Sequence, residues 1–299
     1  MRPLAASLAL AFAACAPFVR SDESSPDAGT PSFSVLDING FLAPPGTPLS
    51  ISNEPVATSP KFYLRASTGT APTCWYGVFV ADPSAAGQPN NGVLLSALGD
   101  MDKINSAFGQ TRVGCPDPST FAVGGGIPDG VQIGDRLTVD GFFEPYCDYY
   151  NTSLGQCQYD LFPEVTPDPP PNFSEGSIED NGSGITLAPL VVDPTQISDL
   201  AAEAIQYAGE LLQVQHVTVS DLPLDAYGDV VLDQGSLWLT SLGPAATIGS
   251  APGTAYCSIT GNLHFQFGHW KLRPRQQSDL VLCPTGSNGQ CDYSLCPGS

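Results

Sequence analysis

The stretch AYCSITGNLHFQFGHWKLRPRQQSDLVLC, residues 255–283, decides how the rest of the chain is read. Ile259, Gly261, Leu263, Phe265 and Phe267 fall on alternate positions, with Thr260, Asn262, His264 and Gln266 between them. Successive side chains of a strand point to opposite sides, so a period of two describes a strand with one buried face. Gly268-His269 can turn the chain, and Trp270, Leu272, Leu280 and Leu282 continue a second apolar set interrupted by Pro274. The stretch reads as a β-hairpin that closes a small barrel or sandwich.

Just upstream, Gly209 to Val219 forms an opening strand, and Val230–Leu232 and Ser236–Leu239 form two more around an Asp233-Gln234-Gly235 turn. Asp193-Pro194 begins a short helix through Ile197, Leu200, Ala201 and Ala204, since proline suits a first helical turn. Before it, TPDPPPNFSEGSIEDNGSG (166–184) breaks all periodicity and marks a domain boundary. The preceding block carries strands at Phe33–Ile38, Phe62–Arg65, Trp75–Val80, Leu137–Phe142 and Tyr159–Phe162, with an irregular excursion from Leu95 to Gly126. The two blocks read as loose repeats of one plan in which Gly141 and Gly261 correspond. Glycine inside a strand marks a bulge or a sharp bend.

Composition agrees. The chain has 299 residues, 31 Gly and 29 Pro, a mix that favours short strands and turns over long helices. Its formal net charge of -20 repels phosphate backbones and anionic membrane surfaces at long range.

The N-terminus places a short positive region at Arg2 before an apolar run, Leu4 to Ala14. The run has signal-peptide length and is too short for an ordinary membrane span. Phe12-Ala13-Ala14-Cys15 resembles a bacterial lipobox, which would make Cys15 the lipidated residue. The other reading is an ordinary signal peptide, a secreted or periplasmic product and an incidental Cys15. Eight further cysteines, Cys74, Cys115, Cys147, Cys157, Cys257, Cys283, Cys291 and Cys296, form an even set, which in an exported chain implies disulfides. Proximity in sequence suggests Cys147–Cys157, then Cys74–Cys115 and Cys257–Cys283, leaving Cys291–Cys296. No CxxC spacing occurs, and the three histidines are scattered, so no zinc site is expected.

GDRLTVDGFFEPY (134–146) and, more specifically, Tyr256 to Val281 after the Gly209–Val219 strand resemble the OB-fold-like domains of bacterial surface lipoproteins. The resemblance implies two tandem OB-like Greek-key β-barrels on an outer-membrane lipoprotein, and it brings no catalytic residues. The expected organisation is all-β. It has a signal peptide with lipobox (1–15), a tether (16–31), a first barrel (32–166), a Pro/Gly linker (167–192), a helix plus second barrel (193–285) and a cysteine-containing tail (286–299).

Function is weighed on four constellations. His269, Trp270, Lys271, Arg273 and Arg275 gather cations beside an aromatic ring, as a single-strand-binding groove would. The surrounding acidity argues that they instead pair with neighbours such as Asp279. Asp221, Asp225 and Asp229 lack the alternate spacing and central glycine of a calcium loop. No GxSxG, HExxH, Walker or dinucleotide fingerprint occurs, so neither catalysis nor a cofactor is expected. Tyr149 and Tyr150 are adjacent and face opposite ways on a strand, which leaves one of them free to contact a ligand. The expectation is a non-enzymatic envelope lipoprotein acting as a binding module for an envelope protein or glycan. Nucleic acid is not an expected partner. The alternatives are an accessory domain pair of an exported hydrolase, or an oligonucleotide- or oligosaccharide-binding protein.

Overall fold

The computed structural model describes residues 30–67, 72–112, 114–147, 150–151, 156–157, 161–169, 175–220, 229–233, 237–240, 248–249, 251–287 and 289–297. The protein is mostly β, in two main sheets. The first half contributes β1 (Ser32–Phe33), α1 (Val35–Asn39), β2 (Pro48–Ile51), β3 (Val56–Ala57), β4 (Phe62–Ala66), β5 (Cys74–Ala81) and β6 (Val93–Leu98). It continues with α2 (Met101–Phe108), β7 (Leu137–Phe143), β8 (Tyr146–Cys147), β9 (Tyr150–Asn151), β10 (Gln156–Cys157), β11 (Leu161–Phe162), β12 (Glu164–Thr166) and β13 (Ser177–Asp180). The second half contributes β14 (Leu190–Val191), β15 (Leu211–Thr218), β16 (Val230–Val231), β17 (Trp238–Leu239), β18 (Ala255–Gln266), β19 (His269–Arg273) and β20 (Leu280–Leu282).

The two sheets follow one path. The first runs β1-β2-β7-β12-β6-β5-β3, with β13 also on β7 and β4 on β5. The second runs β14-β15-β18-β19-β17-β16, with β20 also on β18. Strand senses match along the way: β1 is parallel to β2 as β14 is to β15. Likewise β12 is parallel to β6 as β19 is to β17, and the remaining pairs of the shared path are antiparallel.

The correspondence holds residue by residue. Ser34 and Asp193 each cap a helical turn with a capping box, reciprocated by Asp37 and Gln196. Ile38 and Ile197, one residue beyond each reciprocating side chain, are both fully buried. Gly46 (φ 73°) and Gly209 (φ 74°) open the first long strand of each half in the left-handed region that glycine alone enters cheaply. Their N–H groups donate to Phe143 O and Leu263 O, each at 2.7 Å. Gly141 and Gly261 then pair with Leu49 and Leu212. At both glycines the neighbouring strand changes, from β12 to β13 on β7 and from β19 to β20 on β18. A Cβ on Gly141 would lie 2.6 Å from Thr166 O, and one on Gly261 2.5 Å from Arg273 O. These are the backbone atoms where the departing strand leaves, so glycine is what allows the exchange of partners.

Several expectations are corrected. Neither sheet is a closed barrel. In the first half β3 continues β2 around to β5, but Asn53 and Glu54 at positive φ and the donorless Pro55 interrupt the ladder between them. In the second, His216 at φ 54° drops out of the β15–β18 register, and among the described residues β15 reaches β16 through an isolated Val219–Leu232 bridge with its flanking backbone hydrogen bonds rather than a strand ladder. The helix expected from Asp193 is two 3-10 turns, Pro194–Gln196 and Ala204–Tyr207. Asp199, between them, is committed to the β19 backbone, where it accepts from Trp270 N–H at 2.7 Å. Phe33–Ile38, expected as a strand, turns into α1 because the Ser34 cap wins over the alternation. The irregular excursion contains β6 and α2. Within the expected linker, β13 adds to the first sheet and β14 to the second.

The halves do not keep separate cores. Val78, Val80, Val93 and Leu95 face an apolar core belonging to the first half. Phe79, Leu94, Phe62 and Phe162 face the other way and join one apolar cluster with Leu212, Ile259, Leu263 and Leu272. The central strands β5 and β6 are thus buried on both faces.

Candidate functional site

Trp270 and Leu272 enter the shared apolar cluster together with Ile259, Leu263 and Phe265. The intervening positions of β18, expected on an open face, touch the first half instead. Asn262 Nδ2 donates to Thr58 Oγ1 at 2.8 Å, and Gln266 Nε2 donates to Leu64 O at 3.4 Å. The His264 ring lies 5.1 Å from the Phe162 ring and 5.6 Å from the Phe79 ring. The face that sequence alternation left polar is therefore the seam between the halves.

This seam takes up the cations. Arg273 lies over the Phe62 ring at 4.7 Å, and its Nη1 donates to His264 Nδ1 at 2.8 Å. That bond makes Nδ1 the acceptor and places the imidazole proton on Nε2, which is buried with no partner. Burial, and then the charges of Arg273, Arg65 and Lys271, hold the His264 pKa well below its ordinary value, so the ring stays neutral. Burial also lowers the Arg273 guanidinium to about 10, against the opposing pull of Asp229. Lys271, 1% exposed, pairs with Asp229 at 2.5 Å. Arg65 makes a forked pair with Glu164 at 2.8 and 3.1 Å and is flanked by the rings of Trp75 and Tyr146. Arg275 makes a forked pair with Asp279 and donates to Thr58 O at 3.2 Å. The expectation that these cations pair with local acids such as Asp279 describes Arg275 well. These cations form no solvent-facing basic groove: Arg273 and Arg275 are used up against Phe62 and Thr58 of the first half, and Lys271 against Asp229 of its own half.

What remains on the surface is the β18–β19 turn. Phe267 adopts φ 55° and is 50% exposed, and Leu200 is 92% exposed. The Trp238 ring stacks 4.4 Å from His269, and His269 Nδ1 meets Asp199 at 2.6 Å. Lys271 Nζ lies over the Phe267 ring at 5.2 Å and the Trp238 ring at 6.0 Å, so Phe267, Trp238 and His269 gather at one tip, and Leu200 follows Asp199 in the chain. Clefts among the described residues lie elsewhere. One of about 250 Å³ runs along the seam between Thr58, Ile185, Leu187, Leu211 and Arg275. One of about 230 Å³ lies beside the tail between Gln213, His216, Ser258, Val281 and Pro297. Among the described residues no serine or threonine hydroxyl is hydrogen-bonded to a histidine.

The other anticipated residues are distributed as follows. Cys15, Tyr149, Asp221 and Asp225 lie outside the described residues. The backbones of Tyr150 and Cys157 pair in a two-residue ladder and Cys147 pairs with Leu161, but these side chains and the expected Cys147–Cys157 bridge are outside the described residues. Cys74–Cys115 forms as expected. The tail pairing is corrected to Cys257–Cys296 and Cys283–Cys291. Cys257 falls at a register irregularity of β18 opposite β20 and meets the returning tail rather than its strand neighbour. The sulfurs of Cys257, Cys283 and Cys296 converge, but each is held in a disulfide rather than free to ligate a metal.

Sequence reasoning passed over Arg65, Glu164, His264 and Glu210. Only His264 carried a signal: it interrupts an apolar alternation, directly opposite Lys271 in the ladder. Glu210 is 3% exposed, and burial raises its carboxyl to about 8 against one backbone hydrogen bond from Asn91. No protein-family model and no curated protein matches this sequence.

Proposed function

We propose that this is a non-enzymatic envelope lipoprotein, anchored through Cys15 to the outer membrane, whose two halves are OB-like units forming one binding module. The strand path supports the OB-like part. Numbering the five main strands of each half in chain order gives the spatial order 1-4-5-3-2, a Greek-key path, twice. Disulfides support export to an oxidising compartment. No helix among the described residues is long and apolar enough to cross a membrane, so the Cys15 lipid is the attachment proposed.

One observation carries the binding role. Leu200 and Phe267 expose apolar surface beside Trp238 and His269, while the charges that would serve nucleic acid are buried in pairs. Clustered exposed apolar side chains next to an aromatic ring mark a protein-contact surface. A photo-cross-linking residue at position 267 in intact cells should give a discrete protein adduct that disappears with Leu200→Ser. Turnover of a phosphodiester, ester or glycoside by the purified protein, abolished by a single acidic substitution, would overturn the non-enzymatic part. Cys15→Ser should move the protein out of the membrane fraction, and unchanged fractionation would refute the anchor.

A further inference from the structure

The C-terminal tail is held onto the second sheet by two disulfides whose sulfurs are neighbours. Cys257–Cys296 ties the tail to β18, and Cys283–Cys291 closes a loop after β20. The Sγ atoms of Cys257, Cys283 and Cys296 all lie within 4.8 Å of one another. Cys257 and Cys296 are buried, while Cys283 and Cys291 are half-buried, so an incoming thiol meets the Cys283–Cys291 bond first. Cys283 also stays close to Cys257 for a backbone reason: its N–H donates to Ala255 O at 2.9 Å.

We propose that these four cysteines are a thiol-exchange site that isomerises the tail and thereby frees the tail-side wall of the cleft beside β15. A small thiolate attacks Cys291 Sγ, forms a mixed disulfide there and expels Cys283 as thiolate. Cys283 attacks Cys257 Sγ, forming Cys257–Cys283 and expelling Cys296. Cys296 attacks Cys291 Sγ, forming Cys291–Cys296 and returning the small thiolate. Two S–S bonds break and two form, with no net oxidation, so a catalytic amount of thiol suffices. Each step is an exchange whose rate depends on access and on the thiolate fraction.

The consequence lies in what the tail touches. Tyr293 packs on the His216 ring at 4.8 Å and its hydroxyl lies 3.2 Å from Thr218 Oγ1. Cys296 and Pro297 form one wall of the cleft of about 230 Å³ whose opposite wall is Gln213, Gln215 and His216. In the isomer Cys296 is bonded only within the tail, so nothing covalent holds Tyr293 and Pro297 against β15. The exchange would gate this cleft independently of the β18–β19 tip.

The test is non-reducing peptide mapping of the full chain after incubation with substoichiometric reduced glutathione, quenched by acid and alkylation. Expected are Cys257–Cys283 and Cys291–Cys296 peptides alongside the starting pairs, with faster diethylpyrocarbonate modification of His216. Cys291→Ser leaves Cys283 as a thiol beside Cys257–Cys296. It should form Cys257–Cys283 with Cys296 free, without added glutathione. Retention of Cys257–Cys296 in that variant, or wild-type pairing unchanged by glutathione, overturns the proposal. If Cys291→Ser does not fold, the wild-type mapping decides alone. New pairing with unchanged His216 reactivity refutes the gating.

Discussion

The two halves share a strand plan but differ in what surrounds it. In the first half the positions one and three residues beyond the switch glycine Gly141 are Phe142, which is buried, and Glu144, which is exposed, whereas beyond Gly261 they are Asn262 and His264. In the second half the equivalent strand β18 is covered on both sides. Its outer positions Asn262 and His264 are fully buried against the first half. The lesson is that a repeated backbone plan constrains glycines and caps, not the environment of the outward face. That face is set by whichever neighbour lies against it. Here the neighbour is a wall of Phe62, Phe79 and Phe162, and the polar strand residues meet it through hydrogen bonds, ring edges and a stacked guanidinium.

The sharpest challenge to the equivalence is at the switch glycines. Gly261→Ala drives a methyl group into the Arg273 carbonyl and the Pro274 nitrogen, and Gly141→Ala into the Thr166 carbonyl. Backbone cannot yield as a flexible side chain can, so each change should cost about 3 kcal/mol, the upper end for overpacking. Denaturant unfolding should show nearly equal losses at the two sites. A large loss at one and none at the other would break the correspondence.

A smaller effect separates the halves. Thr47 O and Glu210 O occupy the same place, accepting from Phe143 N–H at 3.1 Å and Leu263 N–H at 3.2 Å. Only the second half puts a carboxyl there, and burial raises it to about 8. The raised value means that the folded state holds a proton that the unfolded chain releases. The stability that Glu210 contributes is therefore greatest below the ordinary glutamate range and falls as pH rises toward 8, then levels off. The slope should be about 1 kcal/mol per pH unit in that window. Glu210→Gln should flatten it, as measured by urea midpoints from pH 5 to 9, whereas Thr47→Val should leave the slope unchanged.

Much of this plan was legible in the sequence. The repeat, its glycine pair and the β18–β19 hairpin follow from period-two alternation and from the conformational meaning of glycine. So does the Arg275–Asp279 pairing, because the two residues are four apart and their partnership is local. What was hidden is long-range. Alternation shows that Asn262, His264 and Gln266 are polar, but water and a second sheet with hydrogen-bond acceptors satisfy them equally well. The Cys257–Cys296 pairing depends on a local irregularity in β18, which no spacing rule contains. At Phe33–Ile38 two signals competed, and the capping box of Ser34 and Asp37 outweighed the alternation.

The central claim is that the halves fold as one unit around a shared seam. Hydrogen exchange of the full chain across a urea series tests it most directly, comparing the amides of β7 with those of β18. The shared core predicts that the slowest amides of both strands report the same opening free energy and the same dependence on urea. A β18 that opens with a smaller urea dependence while β7 stays protected would show two independent cores and contradict the account.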